Sequence, residues 1–561
     1  MNMVLPIGKR LKIKEWSSLN MLLVWFVLAP IFTGVICYKL SRHISKYLII
    51  FIQLLLAALV VYSFTQIVDN GFISEVLGAN NSILGIELVA DRFSIIMVGL
   101  AVFLFTGAFF YTFSDDFFDE KFAMLFMIFQ GLICGIFLSD DIFNIFVLIE
   151  AATVIVAILI MFKKDRRTIY DAIVYLLSQT VGMAFYLFGV GYLYKIFGVL
   201  SIEAIRESIH VVEASQLVLP FVFILTAISL KCAFFPLFSW LPRYHAPYSS
   251  PFAVSAILSG LYVKSGIYLF IRFSSLFSPV IQMPDFFIVI SIMTAICGFL
   301  LALVQNDIKL ILAYSTVSQM GLIALGLNVS NEISWLGSMF HILNHAIFKS
   351  LLFLTSGIIV DAYGTRDIRE LRGVIKRMPV VGITTLLGIL AITGAPFFNG
   401  SISKYLIQYG VKGTFLEYII MFINMGTTIV FIKYATILWG KSKEKKQEVG
   451  ANKSFVVALL AALCLAMGIF STRIISLLFG IDVSIDFFLY LEKIGIYFLI
   501  VALAFLFYQY VISRNDKIHV FAKTSLTFPQ IISLMIVFFV VLLLATSITF
   551  NSSPFFASIL G

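Results

Sequence analysis

The chemically unusual residues of this sequence are charged side chains in the middle of long apolar segments. Between residues 228 and 273, two apolar segments flank a loop that contains His245, and each segment carries one lysine near its middle, Lys231 or Lys264. A lysine at the centre of a membrane-spanning helix costs about 2.5 to 3.5 kcal/mol on insertion scales. Two such lysines in consecutive segments indicate a function that requires charge inside the membrane.

Glu150 lies in the apolar run DIFNIFVLIEAATVIVAILI and could be the partner of Lys231. An isolated ammonium group in a low-dielectric medium gives up its proton more readily, whereas a neighbouring carboxylate holds the proton on it. A Glu150–Lys231 pair could therefore act as a proton valve, with both groups charged when together and the lysine free to release its proton when apart. The alternatives are a static ion pair that fixes helix packing, or a carboxyl group satisfied by a neighbouring helix.

His341, His345 and Lys349 are spaced i, i+4 and i+8, so they share one face of a helix. Two histidines at this spacing can bind zinc, but no glutamate lies between them and no third ligand is evident, so no metal site is predicted. Histidine titrates near neutral pH, so a stripe of titratable groups fits proton hopping. Core histidines that form hydrogen bonds with their neighbours are the alternative.

Lys404 follows the segment TGAPFFNG and is the last base in mid-membrane before the predicted outer side. The neutral polar residues of the tenth predicted helix can hold waters that bridge charged sites; they are Ser315, Thr316, Ser318 and Gln319. The mid-membrane groups form a line, which predicts a relay along the bilayer plane and not a binding pocket. In chain order the line is Glu150, Lys231, Lys264, His341, His345, Lys349 and Lys404.

Two aspartates lie at predicted helix ends and are given structural roles. Asp141 is expected to be a helix cap or a loop partner, and it is kept as a secondary candidate together with Lys433 and His245. Asp307 is expected to pair with Lys309 at a helix boundary.

Composition places these residues in a polytopic membrane protein. The chain has 561 residues, of which 61% are hydrophobic and 12% charged, against about 25% charged in soluble domains. The net charge of +9 is attributed to basic loops on one side of the membrane and not to nucleic-acid binding. The five cysteines lie in apolar segments without CxxC spacing, and there is no glycine-rich phosphate loop. No cofactor or catalytic redox site is therefore expected on this chain, and iron–sulfur, flavin or nickel–iron groups would belong to partner subunits.

The elements that position the charges are predicted to be about 14 to 16 transmembrane helices of an all-α membrane protein. The basic N-terminal segment resembles a signal peptide, but the apolar run 19–38 leads to basic residues and is interpreted as a retained first helix. The predicted helices are 19–38, 45–68, 92–113, 121–139, 142–162, 170–196, 216–240, 250–273, 284–304, 310–328, 333–361, 380–410, 414–440, 454–477, 488–512 and 528–550.

The basic loops predict the orientation. They follow the first, fifth, eleventh, thirteenth and fifteenth predicted helices, so they share one side, which is assigned to the cytoplasm, and both termini then face outward. The N-terminal KRLKIK and the acidic segment 115–120 disagree with this assignment. The basic loops are 39–46, 163–167, 365–377, 441–446 and 514–523.

Three predicted helices look interrupted: the seventh contains Pro236, the eighth begins at Pro251 and the twelfth contains TGAPFFNG. Broken helices in corresponding positions of two halves are typical of transporters built from inverted repeats, and here the seventh and twelfth helices correspond. Lys404 lies 173 residues after Lys231, and Lys433 lies 169 residues after Lys264. We therefore predict N-terminal helices in 1–113, a first five-helix repeat in 114–274, a second, inverted repeat in 275–440 and C-terminal helices in 441–561.

Six motifs in the sequence resemble those of the antiporter-like subunits of respiratory complex I, Mrp-type Na⁺/H⁺ antiporters and membrane-bound hydrogenases. The resemblance runs from about Gly85 to Lys433, and its style is nearest to Mrp D-type and hydrogenase subunits; Phe238, however, stands where many members have histidine. The motifs are SDDIFNIFVLIE, LKCAFFPLFSWLPRYHAP, SAILSGLYVKSGIYLFIR, QNDIKLILAYSTVSQMG, HILNHAIFKSLLFLTSG and GAPFFNGSISKY.

The resemblance implies roles for the line of charges. Glu150 matches the glutamate that pairs with the helix-seven lysine, here Lys231, and Lys264 matches the connecting base of helix eight. His341, His345 and Lys349 match the relay of helix eleven, and Lys404 the exit lysine of helix twelve. Members of the family translocate H⁺, sometimes with Na⁺, and are driven by redox chemistry in partner subunits or by an ion gradient.

The sequence thus favours an ion-translocating subunit of a multisubunit complex in a prokaryotic plasma membrane. Its expected partners are other membrane subunits and hydrophilic redox subunits on the cytoplasmic side, as in a proton-translocating oxidoreductase of the NADH, ferredoxin or hydrogenase type. The alternative is a subunit of a Mrp-type secondary Na⁺/H⁺ antiporter without a redox partner. A solute or lipid transporter, or a membrane scaffold, is disfavoured because neither needs a string of costly charged sites.

Overall fold

The protein is an all-α polytopic membrane protein, as predicted. A computed structural model describes residues 21–78, 85–162, 166–245, 250–441, 446–484, 487–514 and 526–551. Within these ranges, 14 helices are long and apolar enough to cross a membrane. Two further apolar helices, Trp25–Cys37 and Pro379–Thr393, are shorter than a full span.

The helices and strands follow one another through the described ranges with short connections. In chain order they are α1 (Trp25–Cys37), α2 (Arg42–Asn70), β1 (Ile73–Leu77), β2 (Ile86–Ala90), α3 (Arg92–Thr112), α4 (Glu120–Leu138), α5 (Ile142–Ile160), α6 (Arg166–Phe197), α7 (Ile202–Ser208), α8 (Ala214–Lys231), α9 (Trp240–His245), α10 (Phe252–Ile257), α11 (Val263–Phe277), α12 (Pro284–Val304), α13 (Ile308–Asn328), α14 (Glu332–Tyr363), α15 (Val374–Arg377), α16 (Pro379–Thr393), α17 (Asn399–Tyr409), α18 (Phe415–Ala435), α19 (Ala451–Ile469), α20 (Ser471–Phe479), α21 (Phe487–Phe507) and α22 (Phe528–Asn551).

A two-stranded hairpin, which the sequence did not predict, holds the start of α1. Strands β1 and β2 pair antiparallel, with Ile73 opposite Ala90. The Glu75 carboxylate on β1 accepts hydrogen bonds from the backbone N–H groups of Leu22 and Leu23 at 2.5 and 2.8 Å. These N–H groups have no partner within the helix, so the hairpin replaces a local cap.

Helix α14 forms the centre of the bundle. Its most apolar 18-residue window is entirely buried, and it packs against α10, α13, α16, α17 and α19. Because protein surrounds it, its histidines and its lysine face other helices and not lipid, which is where charged side chains in membranes are tolerated.

The predicted helices that contain Pro236 and TGAPFFNG are both interrupted, which confirms the expectation from proline and glycine. The predicted helix 454–477 is also divided, into α19 and α20, which the sequence did not predict. Helix α8 ends at Lys231, and a segment containing the cis Phe235–Pro236 peptide leads to α9. The segment between α16 and α17 divides the predicted helix 380–410 at residues 394–398. In each break one residue other than glycine has positive φ, Ala233 at 56° and Phe397 at 69°.

A further irregularity occurs in a segment that contains no proline. Helices α10 and α11 form one continuous rod, Phe252–Phe277, with a π-helical turn at Leu258–Tyr262. Such turns free backbone groups from the regular ladder and are frequent at functional sites. This turn directly precedes Lys264.

A polar clamp joins α3, α4 and α11 at one end of the bundle. The Arg272 guanidinium lies 2.5 Å from the Asp91 carboxylate and donates to the Tyr268 hydroxyl at 3.0 Å. That hydroxyl donates to the Phe137 carbonyl at 2.7 Å, while Asp91 caps α3 by accepting from the Ser94 backbone N–H at 2.8 Å. Burial alone would raise the pKa of Asp91, but Arg272 and the bonds from Ser94 outweigh it and lower that pKa.

We predict that Asp91→Asn lowers the thermal unfolding midpoint of the protein in detergent. A hydrogen-bonded charge pair of this kind stabilises by about 1.5 to 3 kcal/mol. Because the folded-state pKa of Asp91 is lowered, its contribution is complete above the ordinary carboxyl pKa and is lost as the pH falls through the lowered value. The difference between Asp91→Asn and the natural chain should thus be constant near neutral pH and shrink below about pH 4. A difference that stayed constant down to strong acid would contradict the clamp.

Candidate functional site

Lys231 binds to the same helix that carries Glu150. Its ammonium group, 6% exposed, donates to the Thr153 hydroxyl at 3.1 Å and lies 3.5 Å from the Tyr262 hydroxyl. Thr153 and Tyr262 are themselves 3.2 Å apart, and Tyr175 donates to Tyr262 at 3.3 Å. The lysine is therefore held by a cluster of hydroxyl groups.

Glu150 lies one turn from this cluster and is not in an ion pair with Lys231 in the described part of the chain. Glu150 and Thr153 are three residues apart and share a face of α5. The carboxylate is half-buried, one of its oxygens is buried without a hydrogen-bond partner, and the charge of Lys231 acts on it. The described residues thus show the two groups without an ion pair, with Lys231 held by the hydroxyl cluster, and the predicted switch between paired and separated states remains a hypothesis.

The close approach of α8 and α11 fixes the position of Lys231. A Cβ atom at Gly266 would lie 2.7 Å from the Lys231 carbonyl carbon and 2.8 Å from the Cys232 nitrogen. Glycine at this point therefore lets the C-terminal end of α8 rest against α11. At the other side of the break, the Trp240 indole N–H donates to the Leu230 carbonyl at 2.6 Å and satisfies a last-turn carbonyl of the interrupted helix.

Lys264 is fully buried, and its hydrogen-bond acceptor lies in the π-helical turn. Its ammonium group donates to the Ser259 carbonyl, five residues earlier in the same rod. The Ser259 hydroxyl lies 2.6 Å from the Thr316 hydroxyl on α13. Lys264, which has no counter-ion among the described residues, is in this way connected to α13 by two short contacts through Ser259.

Lys349 and His341, both fully buried on α14, also face α13. Lys349 donates to the Leu312 carbonyl at 2.8 Å and to the Ser315 hydroxyl. The His341 Nε2 atom lies 3.0 Å from the Gln319 side-chain oxygen. The Gln319 amide in turn donates to Thr427 at 3.2 Å, which directs its oxygen towards the imidazole.

His341 can change charge without movement of heavy atoms. Its Nε2 donates to Gln319, while its Nδ1 lies 2.8 Å from the Ser403 hydroxyl. Ser403 also reaches the Asn399 carbonyl at 3.2 Å. When the hydroxyl donates to Nδ1 the ring is neutral, and when it donates to Asn399 it can accept from a protonated Nδ1.

His345 lies one helical turn before Lys349 on α14 and is fully buried. Both of its ring nitrogens lack a hydrogen-bond partner among the described residues, and its ring contacts Phe348 at 5.2 Å between centroids. Unsatisfied buried nitrogens of this kind call for a bridging water or a transferred proton.

Lys404 lies in the second break and is 2% exposed. Its ammonium group donates to the Ile392 carbonyl at 2.8 Å, in the last turn of α16. Ser403, the partner of His341, precedes it directly in the chain. The second half of the broken helix, α17, thus contacts α14 through Ser403 and carries Lys404, the last residue of the predicted line, at the next position.

Helix α13 connects these groups to one another. Ser315, Thr316 and Gln319 form side-chain contacts towards Lys349, Lys264 (through Ser259) and His341, respectively. These contacts form a polar network around Lys264, Lys349 and His341. His345 and Lys404 lie beside it, through the contact of the two histidine rings and through Ser403. Lys231 lies in the separate hydroxyl cluster, with Glu150 one helical turn away. Ser315, Thr316 and Gln319 make direct contacts where bridging waters were expected, whereas the Ser318 hydroxyl is buried without a hydrogen-bond partner among the described residues.

The secondary candidates lie outside this network. Lys433 donates to the Leu303 and Gln305 carbonyls at 2.7 and 2.5 Å, which makes it a cap for the C-terminal end of α12. Asp141 caps α5, accepting from two backbone N–H groups at 2.8 and 2.7 Å. The side chain of His245 lies outside the described residues.

The expected pairing of Asp307 with Lys309 is wrong. Asp307 caps α13 through the Lys309 backbone N–H, but its carboxylate pairs with Arg366 at 2.6 Å. The Lys309 ammonium donates instead to the Ser250 carbonyl at 2.7 Å. Arg366 arrives from the loop after α14, and short-range spacing in the sequence could not indicate that contact.

The network is almost entirely cationic. Within the described residues, no ion pair joins Lys264, Lys349 or Lys404 to a carboxylate, and no group of three histidine, cysteine or acidic side chains could hold a metal ion. Two unit charges about 8 Å apart repel by about 2 kcal/mol at an effective dielectric constant near 20. Protonation of one base therefore disfavours protonation of its neighbours, which is the electrostatic requirement for passing a charge along a row.

Sequence reasoning missed Tyr262, which connects Lys231 to the rod that carries Lys264. The chain has 23 tyrosines, and neither spacing nor composition separates this one from the rest. Its position depends on the π-helical turn, for which the sequence gives no signal.

Comparison with known proteins gives a family match over the region that holds the network. The model of the family described as NADH:quinone oxidoreductase/Mrp antiporter, TM, matches residues 139–431. The A-type subunit of a Na⁺/H⁺ antiporter from Alkalihalophilus pseudofirmus is 30% identical over 408 residues, which are 68% of this chain and 50% of that protein. The D-type subunit of the antiporter from the same species is 26% identical over 449 residues, 77% of this chain and 89% of that protein.

Similarity also extends to proteins whose names describe oxidoreductase complexes. The N-type subunit of an NADH-quinone oxidoreductase from Desulforudis audaxviator is 30% identical over 340 residues, 58% of this chain and 66% of that protein. Among solved structures, one protein of the Mrp complex from Dietzia sp. superimposes with a TM-score of 0.76 at 20% identity, and one of an archaeal membrane-bound sulfane sulfur reductase with 0.75 at 23%. Each structural match covers 82% of this chain and 96% of the other, and these two likenesses concern the fold.

Proposed function

The chain belongs to the NADH:quinone oxidoreductase/Mrp antiporter membrane family, and from this premise we propose that it is an ion-translocating subunit that passes protons along its buried Glu/Lys/His network. The observation that carries the proposal is the polar connection through α13. Three of its side chains touch the groups around Lys264, Lys349 and His341. A fold that needed these lysines only for packing would have no use for so costly a set of uncompensated charges.

Each part of the network has a role in this proposal. Glu150 and Lys231 form the entrance, where the hydroxyl groups of Thr153 and Tyr262 can pass a proton because each both donates and accepts. Lys264 is the connecting base, and Lys349, His345 and His341 carry the proton along α14. Lys404 is the outlet.

Mutual repulsion supplies the coupling. A proton that arrives at Lys264 makes protonated Lys349 and His345 less stable, because all three lie in one low-dielectric space. The charge then moves on towards Lys404, and the entrance is reset when Lys231 returns to Glu150. Proton movement at one end of the row is thereby linked to release at the other.

We further propose that residues 114–274 and 275–440 are the inverted repeats, flanked by 1–113 and 441–561. Both regions contain a broken helix whose last-turn carbonyl is bonded from beyond the break. In the first the donor is the Trp240 indole on Leu230, and in the second it is the Lys404 ammonium on Ile392.

The driving force is proposed to come from redox chemistry in partner subunits, together with other membrane subunits of one complex in the plasma membrane. The five cysteines lie on separate elements and form no disulfide, so iron–sulfur, flavin or nickel–iron groups are assigned to hydrophilic partners on the cytoplasmic side. The second candidate is a secondary Na⁺/H⁺ antiporter, which the names of the two Alkalihalophilus pseudofirmus relatives favour.

Ion flux in inverted membrane vesicles from cells with the complete complex tests the proposal. We expect Glu150→Ala and Lys231→Ala each to lower H⁺ movement at least tenfold, because each removes one half of the entrance. Lys195→Ala, an exposed lysine at the end of α6, is the control and should retain full flux.

Unchanged flux in both Glu150→Ala and Lys231→Ala would overturn the relay. Copurification of the native complex with iron analysis separates the two driving forces. Iron-containing partners are expected for redox drive, and their absence with retained Na⁺-dependent flux would favour the antiporter.

A further inference from the structure

One face of α21 carries polar residues, although most of the helix is exposed or half-buried on the surface of the chain. Tyr490, Lys493 and Tyr497 are spaced i, i+3 and i+7, so they share that face. Tyr490 lies 3.1 Å from the Ser401 hydroxyl, and Tyr497 lies 3.1 Å from the Thr393 hydroxyl. All three residues thus contact the two halves of the broken helix α16–α17.

Lys493 contacts the same broken helix that carries Lys404. Its ammonium group donates to the Ser401 carbonyl at 2.7 Å and lies 5.0 Å from the centre of the Tyr405 ring. Ser401 and Lys404 are three residues apart, so Lys493 approaches the same face of α17.

Exposure along the network has a simple pattern. Lys264, Lys349, His341 and His345 are 0% exposed and Lys404 is 2% exposed, whereas Glu150 and Lys493 are half-buried. The enclosed groups therefore lie between two groups that are partly exposed on the surface of the chain. Lys493 lies about 9 Å along its helix from the first residue, near the start of α21.

We propose that Lys493 is the terminal proton acceptor of the relay, so that the outlet is shared between α17 and α21. This inference rests on the proposed function. In the step, the Lys404 ammonium group gives one proton to the neutral Lys493 amine, which leaves a neutral amine on Lys404 and an ammonium group on Lys493. Lys493 then releases the proton at the surface, and no further reactant is needed.

The competing role is a static anchor that holds α21 to the bundle, and substitutions distinguish the two. Arginine keeps the positive charge and the donor but does not release its proton near neutral pH, and glutamine keeps a donor without any charge. Histidine keeps both a donor and the capacity to titrate. An anchor requires only the donor, whereas a terminal acceptor requires titration.

The test measures H⁺ flux in vesicles with the complete complex and the thermal unfolding midpoint of each variant. We expect Lys493→Arg and Lys493→Gln to fall at least tenfold in flux and Lys493→His to keep a substantial fraction, with all three close to the natural chain in stability. Tyr497→Phe, which removes a docking hydrogen bond and no titratable charge from the outlet, should lower the midpoint more than the flux.

Full flux in Lys493→Arg or Lys493→Gln would overturn the inference and assign Lys493 to docking. If Lys493→Arg unfolds, Lys493→Gln alone decides, since its smaller side chain fits the same space. Lys231→Ala is included in the same preparations. Loss of flux in Lys231→Ala with normal flux in Lys493→Gln rejects only the terminal acceptor, whereas normal flux in Lys231→Ala rejects the relay itself.

Discussion

Lys264→Met is expected to lower ion flux at least tenfold and to leave the protein as stable as the natural chain or more stable. Lys264 is fully buried and in no ion pair among the described residues, so its charge lowers the stability of the folded protein. Lysine in mid-membrane costs about 2.5 to 3.5 kcal/mol on insertion scales. Methionine has nearly the same length, and replacement of buried charges by apolar groups of similar volume is often neutral or stabilising.

The measurement combines vesicle flux with thermal unfolding, and Lys309→Met is the matched control. Lys309 is also buried, 1% exposed, but its ammonium group donates to the Ser250 carbonyl at 2.7 Å and lies above the Phe252 ring at 4.5 Å. It therefore has a structural role outside the network. We expect Lys309→Met to lower the unfolding midpoint while flux per folded molecule is retained.

The two variants should therefore change stability and flux in opposite ways. A Lys264→Met protein that is destabilised and still transports at the natural rate would assign Lys264 to packing. Such a result would break the proposed connection between Lys231 and α14, since Lys264 is the base between them.

The charged members of the network could be predicted from the sequence because charge is rare in apolar segments. Every lysine and histidine of the line was identified by that contrast, and the histidine spacing also fixed their common face on α14. The broken helices were found for a similar reason, since Pro236 and the TGAPFFNG segment cannot continue a regular helix. In both cases the residue type itself is energetically unfavourable in its segment, so the sequence alone is enough to identify it.

The connections between the charges could not be predicted, because they depend on tertiary packing. The π-helical turn that directs Tyr262 to Lys231 has no sequence signal, and the Glu150–Lys231 separation depends on how α5 and α8 meet. Lys493 did carry a signal, since it is a lysine within an apolar run. It directly follows Glu492 near the start of a helix, a position at which a charged residue is usually interpreted as a membrane boundary.

Gly400→Ala is expected to cause the largest structural effect at the second break. A Cβ atom at Gly400 would lie 1.9 Å from the Ala391 carbonyl oxygen, a distance at which no real contact exists. The obstacle is backbone and cannot rotate away, so the ends of α16 and α17 must separate. We expect a loss of about 3 kcal/mol, the upper part of the usual range for overpacking, together with loss of flux.

The reason for the flux loss is the position of Lys404. Its bond to the Ile392 carbonyl links α16, next to Ala391, to α17, which carries Gly400. Separation of the two half-helices would break this bond and move Lys404 away from its place beside Ser403, the partner of His341. Gly495→Ala on α21 is the control, because a Cβ atom there meets nothing within 4 Å. It should leave the unfolding midpoint and the flux unchanged.

Comparison with Lys404→Met separates the geometry of the break from its charge. Lys404→Met should lose flux with little loss of stability, because it removes an uncompensated buried charge, whereas Gly400→Ala should lose both. If Gly400→Ala kept the natural unfolding midpoint, the two half-helices could not be in the close contact described. If it lost stability but transported normally, the break would be a packing feature, and the path from His341 to the outlet would have to bypass Lys404.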